Sequence, residues 1–433
     1  RYDKPEPQKF SKLNPLPLSA SSQTPTVKSS VQSRASSLND KRNFWIQDSN
    51  GQWIAKSAVL SSIGDYCYVW TVEENYSPAS VSFTDNKIAE AQSRKIAVKF
   101  DQMYLPETSI FGSKYSVKYP DCIDPKDKIS ILIYDIDGDY TSSQSGGVFG
   151  FFWAKDFYLG ESDGSIPGYD LKTNEDELFY IDAHFLDCYP EGIYSTLAHE
   201  FQHLLNFVQK DLTHGVDPDI WYNEMLSMVC EDLMSSHMGI SKEDGPQSRL
   251  YEFVTSYYQS GITDWLSGED VYKSYAGAYT FGAFLARNYG GAQFIKDVAS
   301  SKSVDQTSIT DALAKSSLHS SENFESVFRS FGRSLCYPDI PSSFNIPSLN
   351  VHSSSIVGAY TYDLYPINLE EYFYYAGSVK KYGLMKLSAS SAGSVDLRPY
   401  GFSVHYWGKA SGDVTLNFTA SQSSLEKVYI IVE

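Results

Sequence analysis

The sequence predicts an α+β protein: a strand-rich N-terminal lobe with a mixed sheet (residues 41–192), a mainly helical subdomain (193–340) and a C-terminal β-sandwich (341–433). Three observations carry that reading. The run KISILIYDI (128–136) is almost continuously apolar and β-branched, as a strand covered on both faces must be. Helical texture dominates from 193 to about 335. Beyond 340 the chain changes to short alternating segments, AYTYDLYPI, YGLMKLSAS and VTLNFTA, separated by serine and glycine turns.

In chain order, residues 1 to about 40 are rich in Ser, Pro, Lys and Gln and hold too few large apolar side chains to fold alone, so they read as a tail or linker. Strand-like runs fill Phe44 to Trp70, with Asn50-Gly51 as a hairpin turn between them. A helix is expected from about Asp85 to Met103, and ELFYID (177–182) reads as a strand leading into the next helix. Gly290-Gly291 should end a later helix.

That helix after ELFYID carries the chemistry. STLAHEFQHLLNF (195–207) sets His199, Glu200 and His203 in an H-E-x-x-H array. Histidines four apart stack on one helix face, so both rings can reach one ion while Glu200 touches a water beside it. Leu197, Ala198, Phe201, Leu204, Leu205, Phe207 and Val208 surround them, as in a helix enclosed by protein, where an idle glutamate would be costly. The pattern reads as a zinc site for metal-assisted hydrolysis, against two incidental or core histidines.

A catalytic zinc needs a third protein ligand. The longer pattern with glycine at 206 and histidine at 209 is excluded by Asn206 and Gln209. Asp217-Pro218 should open a second apolar helix, DIWYNEMLSMVCEDLM, whose Glu224 lies 21 residues beyond His203. Glu224 is the expected ligand, with an ordinary helix-start glutamate as the competing reading; Glu231, Asp232, His214 and His237 are the other candidates.

The segments KIAVKFDQMYLPETSIFGSKY (95–115), FYIDAHFLD, IYSTLAHEFQHLLNF and WYNEMLSM together resemble the hyicolysin family of bacterial zinc metallopeptidases, within the gluzincin group. The resemblance runs from about residue 40 to 335. It implies a gluzincin-type metallopeptidase core and a zinc-dependent endopeptidase acting on proteins or peptides, with His199, His203 and Glu224 as ligands and Glu200 as general base. Two departures stand out: Met225 replaces the glycine that often follows the ligand glutamate, and Met228 replaces the aspartate of thermolysin-like members. The partner that would orient His199 or His203 is thereby left unassigned. YAGAYTFGAFL is similar to a helix start in gluzincin aminopeptidases and implies Tyr275 as oxyanion donor, with Tyr279 as its rival. A degenerate peptidase, holding a structural zinc and binding a host or cell-surface partner, is the alternative; the intact Glu200 argues against it.

Composition sets the frame. A chain of 433 residues, 42% hydrophobic, can fill sizeable cores, and 35 basic against 53 acidic residues (net charge −18) argue against nucleic acid or an anionic membrane as partner. No apolar run is long enough to span a bilayer, and the start at Arg1 reads as a mature or trimmed chain; the resemblance implies a bacterial protein that is secreted, periplasmic or at the cell surface. Cys67, Cys122, Cys188, Cys230 and Cys336 form no zinc cluster and read as buried thiols with one or two disulfides at most. Asp135, Asp137 and Asp139 have calcium-loop chemistry, but Gly146 stands where an EF-hand needs glutamate, so calcium competes there with a solvated turn.

Overall fold

Six strands form the central sheet in a computed structural model of the chain, which describes residues 37–79, 87–114, 121–138, 147–336, 347–388 and 396–406. The strands are β1 (Lys41–Gln47), β2 (Trp53–Ile63), β3 (Cys67–Val72), β6 (Ile129–Tyr134), β7 (Gly150–Phe152) and β8 (Leu178–Asp182), in the order β1-β2-β3-β6-β8-β7. Between β3 and β6, the two-residue strands β4 (Tyr76–Ser77) and β5 (Ile88–Ala89) pair separately. The sheet is mixed: β3, β6 and β8 run parallel, while β1, β2 and the edge strand β7 are antiparallel to their neighbours. The β1–β2 hairpin turns where Gly51 takes a positive φ of 76°. There the Asp48 carboxylate accepts from the Asn50 and Gln52 amides.

Side-chain alternation divides the core. Ile129, Ile131 and Ile133 of β6 face the helices, whereas Leu132 and Tyr134 face the other side of the sheet with Phe44, Leu60, Trp70 and Tyr180. Being covered on both faces explains why β6 reads as an unbroken apolar run.

The first helix, α1 (Glu90–Phe111), corrects the expected end at Met103. Pro106 sits inside it, yet Ile110 and Phe111 beyond the proline are buried, and this packing outweighs the local break until Gly112 (φ 97°) closes the helix. After β8 come α2 (Ala183–Cys188), capped by the Asp182 carboxylate, and α3 (Pro190–Phe207), which continues as a π-turn over Val208–Leu212. The helix expected to open at Asp217-Pro218 begins later, as α4 (Ile220–Met238), so Glu224 lies in its second turn. Helices α5 (Leu250–Ser256), α6 (Val271–Asn288), α7 (Gly291–Ala299), α8 (Gln306–Lys315) and α9 (Phe324–Cys336) complete the helical part. Gly290 and Gly291, both at positive φ, separate α6 from α7.

The expected β-sandwich is not what the described C-terminal residues form. They hold three two-stranded ladders: β9 (Ser353–Val357) with β10 (Tyr360–Leu364), β11 (Phe373–Ala376) with β12 (Val379–Tyr382), and β13 (Leu387–Ser388) with β14 (His405–Tyr406). The alternating pattern is satisfied by a helical partner instead of a second sheet, since Tyr362, Leu364 and Leu369 enter the same apolar cluster as Leu226 and Phe281. VTLNFTA lies outside the described residues.

A buried ion pair fastens this segment to the helices. On α6, Arg287 donates to Asp232 of α4 at 2.8 Å and twice to the Tyr365 carbonyl, at 3.0 and 2.8 Å. Arg287→Met leaves Asp232 charged and buried, so stability should fall by about 3–5 kcal/mol. Denaturant unfolding checks this; an unchanged midpoint would contradict the anchoring role. None of the five cysteines forms a disulfide. Among the described residues no helix is long and apolar enough to cross a membrane.

Candidate metal centre

Helices α3 and α4 lie side by side and antiparallel. Contacts fall in step along them: Asn206 with Asn223, Gln202 and His203 with Ser227, His199 and Ser195 with Glu231. That register sets the second turn of α4 opposite the histidine pair on α3, which is why residues 21 apart in sequence meet.

His199 Nε2 and His203 Nε2 are 3.0 Å apart, and Glu224 Oε2 lies 3.2 Å from the first and 3.6 Å from the second. One ligand atom from each residue falls within 4.8 Å of the others, and all three side chains are buried. On the far edge of its ring His199 Nδ1 contacts Glu231 Oε1 at 2.8 Å, while Ser227 Oγ lies against His203, 3.1 Å from Nδ1 and 3.4 Å from Nε2. With the His199 Nδ1 hydrogen on Glu231, its inward Nε2 is an acceptor that faces His203 Nε2 and the Glu224 carboxylate, a grouping that a cation between them would satisfy. Two imidazoles and a carboxylate form the donor set of catalytic zinc with a position to spare; calcium would want oxygens throughout. The residues therefore fit zinc.

The electrostatics agree. Burial disfavours a charged His199, yet its hydrogen bonds to Glu224 and Glu231 and the nearby Glu200 raise it well above the usual imidazole range. Burial would lift Glu224, but His203 and His199 hold it well below the usual carboxylate range. In metal-free protein a proton on His199 would supply that cation, and a bound metal would compete with it. Zinc affinity should accordingly fall as pH is lowered; a pH-independent affinity between about 5 and 8 would contradict that competition.

Glu200 is buried on α3 beside His199, on which its charge acts. Tyr275 in α6 packs its ring against Trp265 at 5.0 Å, with the Arg249 guanidinium 6.0 Å from its centroid. Tyr279, one turn on, donates its hydroxyl to Asp232 at 3.3 Å within the Arg287 pair. Of the other third-ligand candidates, Glu231 contacts the outer edge of His199, Asp232 serves Arg287, His237 packs on Tyr362, and His214 is exposed. None of these four joins the inward cluster. Asp135 and Asp137 belong to no metal-binding group among the described residues, and Asp139 lies outside them.

The sequence reading missed Arg249 and Ser195, which both bond Glu231 Oε2, and Ser227 behind His203. Ser195 and Ser227 stand four residues from His199 and three from Glu224, a helical spacing that was available as a signal. Arg249 ends a short 3-10 turn (Pro246–Arg249) with no pattern to mark it.

Comparison with known proteins gives three findings. A neutral metalloprotease, ShpI, of Staphylococcus hyicus is 27% identical over 298 residues, covering 65% of this chain and 59% of that protein, so the chain matches less than two thirds of that relative's length. A crystal structure of an M1 zinc metallopeptidase from Deinococcus radiodurans overlaps 71% of this chain and 54% of its own, with 12% identity and a TM-score of 0.35, too low to bear on the site. The family described as Peptidase M30 matches residues 71–363, which include every residue of the candidate centre, and the chain belongs to that family.

Proposed function

We propose that this chain is a zinc-dependent endopeptidase of gluzincin type, acting outside the cytoplasm on proteins or peptides. The observation that carries it is the convergence of His199, His203 and Glu224 on one point, with Glu200 on the same turn of the same buried helix.

His199, His203 and Glu224 would hold the zinc, which would supply Lewis acidity for a water nucleophile near neutral pH and for the scissile carbonyl. The remaining work falls to the chain. Glu200 takes the proton from the attacking water and returns it to the leaving amine. His199 stays in one tautomer because Glu231 holds its Nδ1 hydrogen. Enclosure of the helix excludes bulk water, so each of these interactions acts at low dielectric.

Tyr275 is the proposed oxyanion donor, and Tyr279, tied to Asp232, is the lesser candidate. Tyr275→Phe keeps the ring and its packing on Trp265 but removes the hydroxyl. Fold and zinc content should survive while kcat falls by about 100- to 1,000-fold, the effect of losing one such donor. Tyr279→Phe is the matched control. Near-parental kcat in Tyr275→Phe would remove it from the mechanism.

Digestion of an unfolded protein by the zinc-loaded chain at neutral pH tests the proposal. Cleavage that stops with a chelator and returns with zinc supports it. A zinc-loaded chain that cleaves nothing would overturn it and favour a binding module with a structural metal.

A further inference from the structure

We infer that Glu231 is the positioning residue of the centre, holding the His199 ring so that Nε2 addresses the metal, with Arg249 and Ser195 fixing Glu231 in turn. This rests on the ligand set proposed above.

The two oxygens of Glu231 divide the task. Oε1 faces His199 Nδ1 at 2.8 Å, and Oε2 accepts from Ser195 Oγ at 2.7 Å and from Arg249 at 3.3 Å. Anchored through Oε2, the carboxylate cannot swing, and Oε1 stays where the imidazole hydrogen needs it. Because Nδ1 and Nε2 occupy opposite edges of the ring, the residue that grips Nδ1 is placed outside the ligand set. A carboxylate there selects the tautomer whose Nε2 lone pair points inward and makes that nitrogen a stronger donor.

The position follows from helix geometry. Glu231 comes seven residues after Glu224, two turns along the same face of α4, so the two carboxylates flank His199 from its two edges. Where Met228 offers no carboxylate one turn after Glu224, the next turn provides one.

Two contrasts sharpen the assignment. Ser227 Oγ, which lies against His203, is a neutral hydroxyl that itself donates to Gln202, whereas the group behind His199 Nδ1 is a carboxylate. Asp232, the next residue, is a buried acid with its own arginine and its own tyrosine, yet it touches neither histidine. It supplies a control with the same pairing chemistry on the same helix. Arg249 also lies over the Tyr275 ring, so one cation links the support of His199 to the proposed oxyanion donor.

The test measures zinc affinity of the full chain by chelator competition and the visible spectrum of the cobalt-substituted protein. Glu231→Gln should keep its fold, bind zinc about 10- to 100-fold more weakly and shift the cobalt bands, as loss of a ligand's hydrogen-bonding carboxylate does elsewhere. Asp232→Asn should lower the melting temperature while leaving zinc affinity and the cobalt spectrum at parental values. Should Glu231→Gln fail to fold, Ser195→Ala decides, with an expected weakening of about threefold to tenfold for one lost hydrogen bond. Parental zinc affinity and cobalt bands in folded Glu231→Gln, or in Ser195→Ala when that variant decides, would overturn the inference. So would an equal loss of affinity in Asp232→Asn. A parent chain that takes up no zinc would instead overturn the ligand set itself.

Discussion

Glu200→Gln is expected to keep its zinc and its fold and to lose proteolysis by at least about a hundredfold, the scale of a general base's contribution. The substitution is nearly isosteric, so the packing of α3 among Leu197, Phe201 and Leu204 is undisturbed. What disappears is a proton acceptor. Glu200 is buried, and a buried carboxylate costs free energy that the fold must supply elsewhere. The neutral amide relieves that cost, so the variant should melt at the parental temperature or above it, an inverse relation between stability and activity expected of a functional group. Equal cleavage rates in variant and parent would assign the activity to another residue.

His199→Ala is expected to abolish zinc binding and, with it, all peptide cleavage. His199 contacts Glu224 on one edge and Glu231 on the other, so its removal takes one donor from the cluster and strips both carboxylates of a hydrogen-bonding partner inside the protein. Stability of the metal-free protein should fall as well, by about 1–3 kcal/mol for buried acceptors left unsatisfied. Metal analysis after zinc loading and dialysis reads the first effect, thermal unfolding the second. Retention of stoichiometric zinc by folded His199→Ala would contradict the ligand assignment.

How far the sequence led depended on whether the signal was local. The H-E-x-x-H spacing and its apolar surroundings need only one helix to be read, and the helix stands from Pro190 to Phe207. β6 and β8 were visible because burial on both faces writes a continuous apolar run. The extent of α1 was not visible, since Pro106 is a local stop signal and the contacts of Ile110 and Phe111 that override it come from distant residues. Glu231 entered the sequence reading as a lesser candidate for the third ligand; its place at the outer edge of His199 depends on the register of two antiparallel helices. Arg249 lay beyond any pattern because its contacts with Glu231 and with the Tyr275 ring arise only in the fold. The short C-terminal strands were legible as strands; their covering by helices was not, because alternation reports one buried face and says nothing about what buries it.

Zinc titration of the purified full chain, compared with Glu224→Gln, tests the central claim most directly. Glu224 joins the two histidines only through the pairing of α3 with α4, so it is the ligand on which the proposed centre depends. About one tightly bound zinc per parent chain is expected, with a clear loss of affinity in a Glu224→Gln protein that remains folded. A parent chain that binds no zinc after exposure to the metal, or a Glu224→Gln chain that binds it as tightly as the parent, would contradict Glu224, His199 and His203 as the zinc ligands.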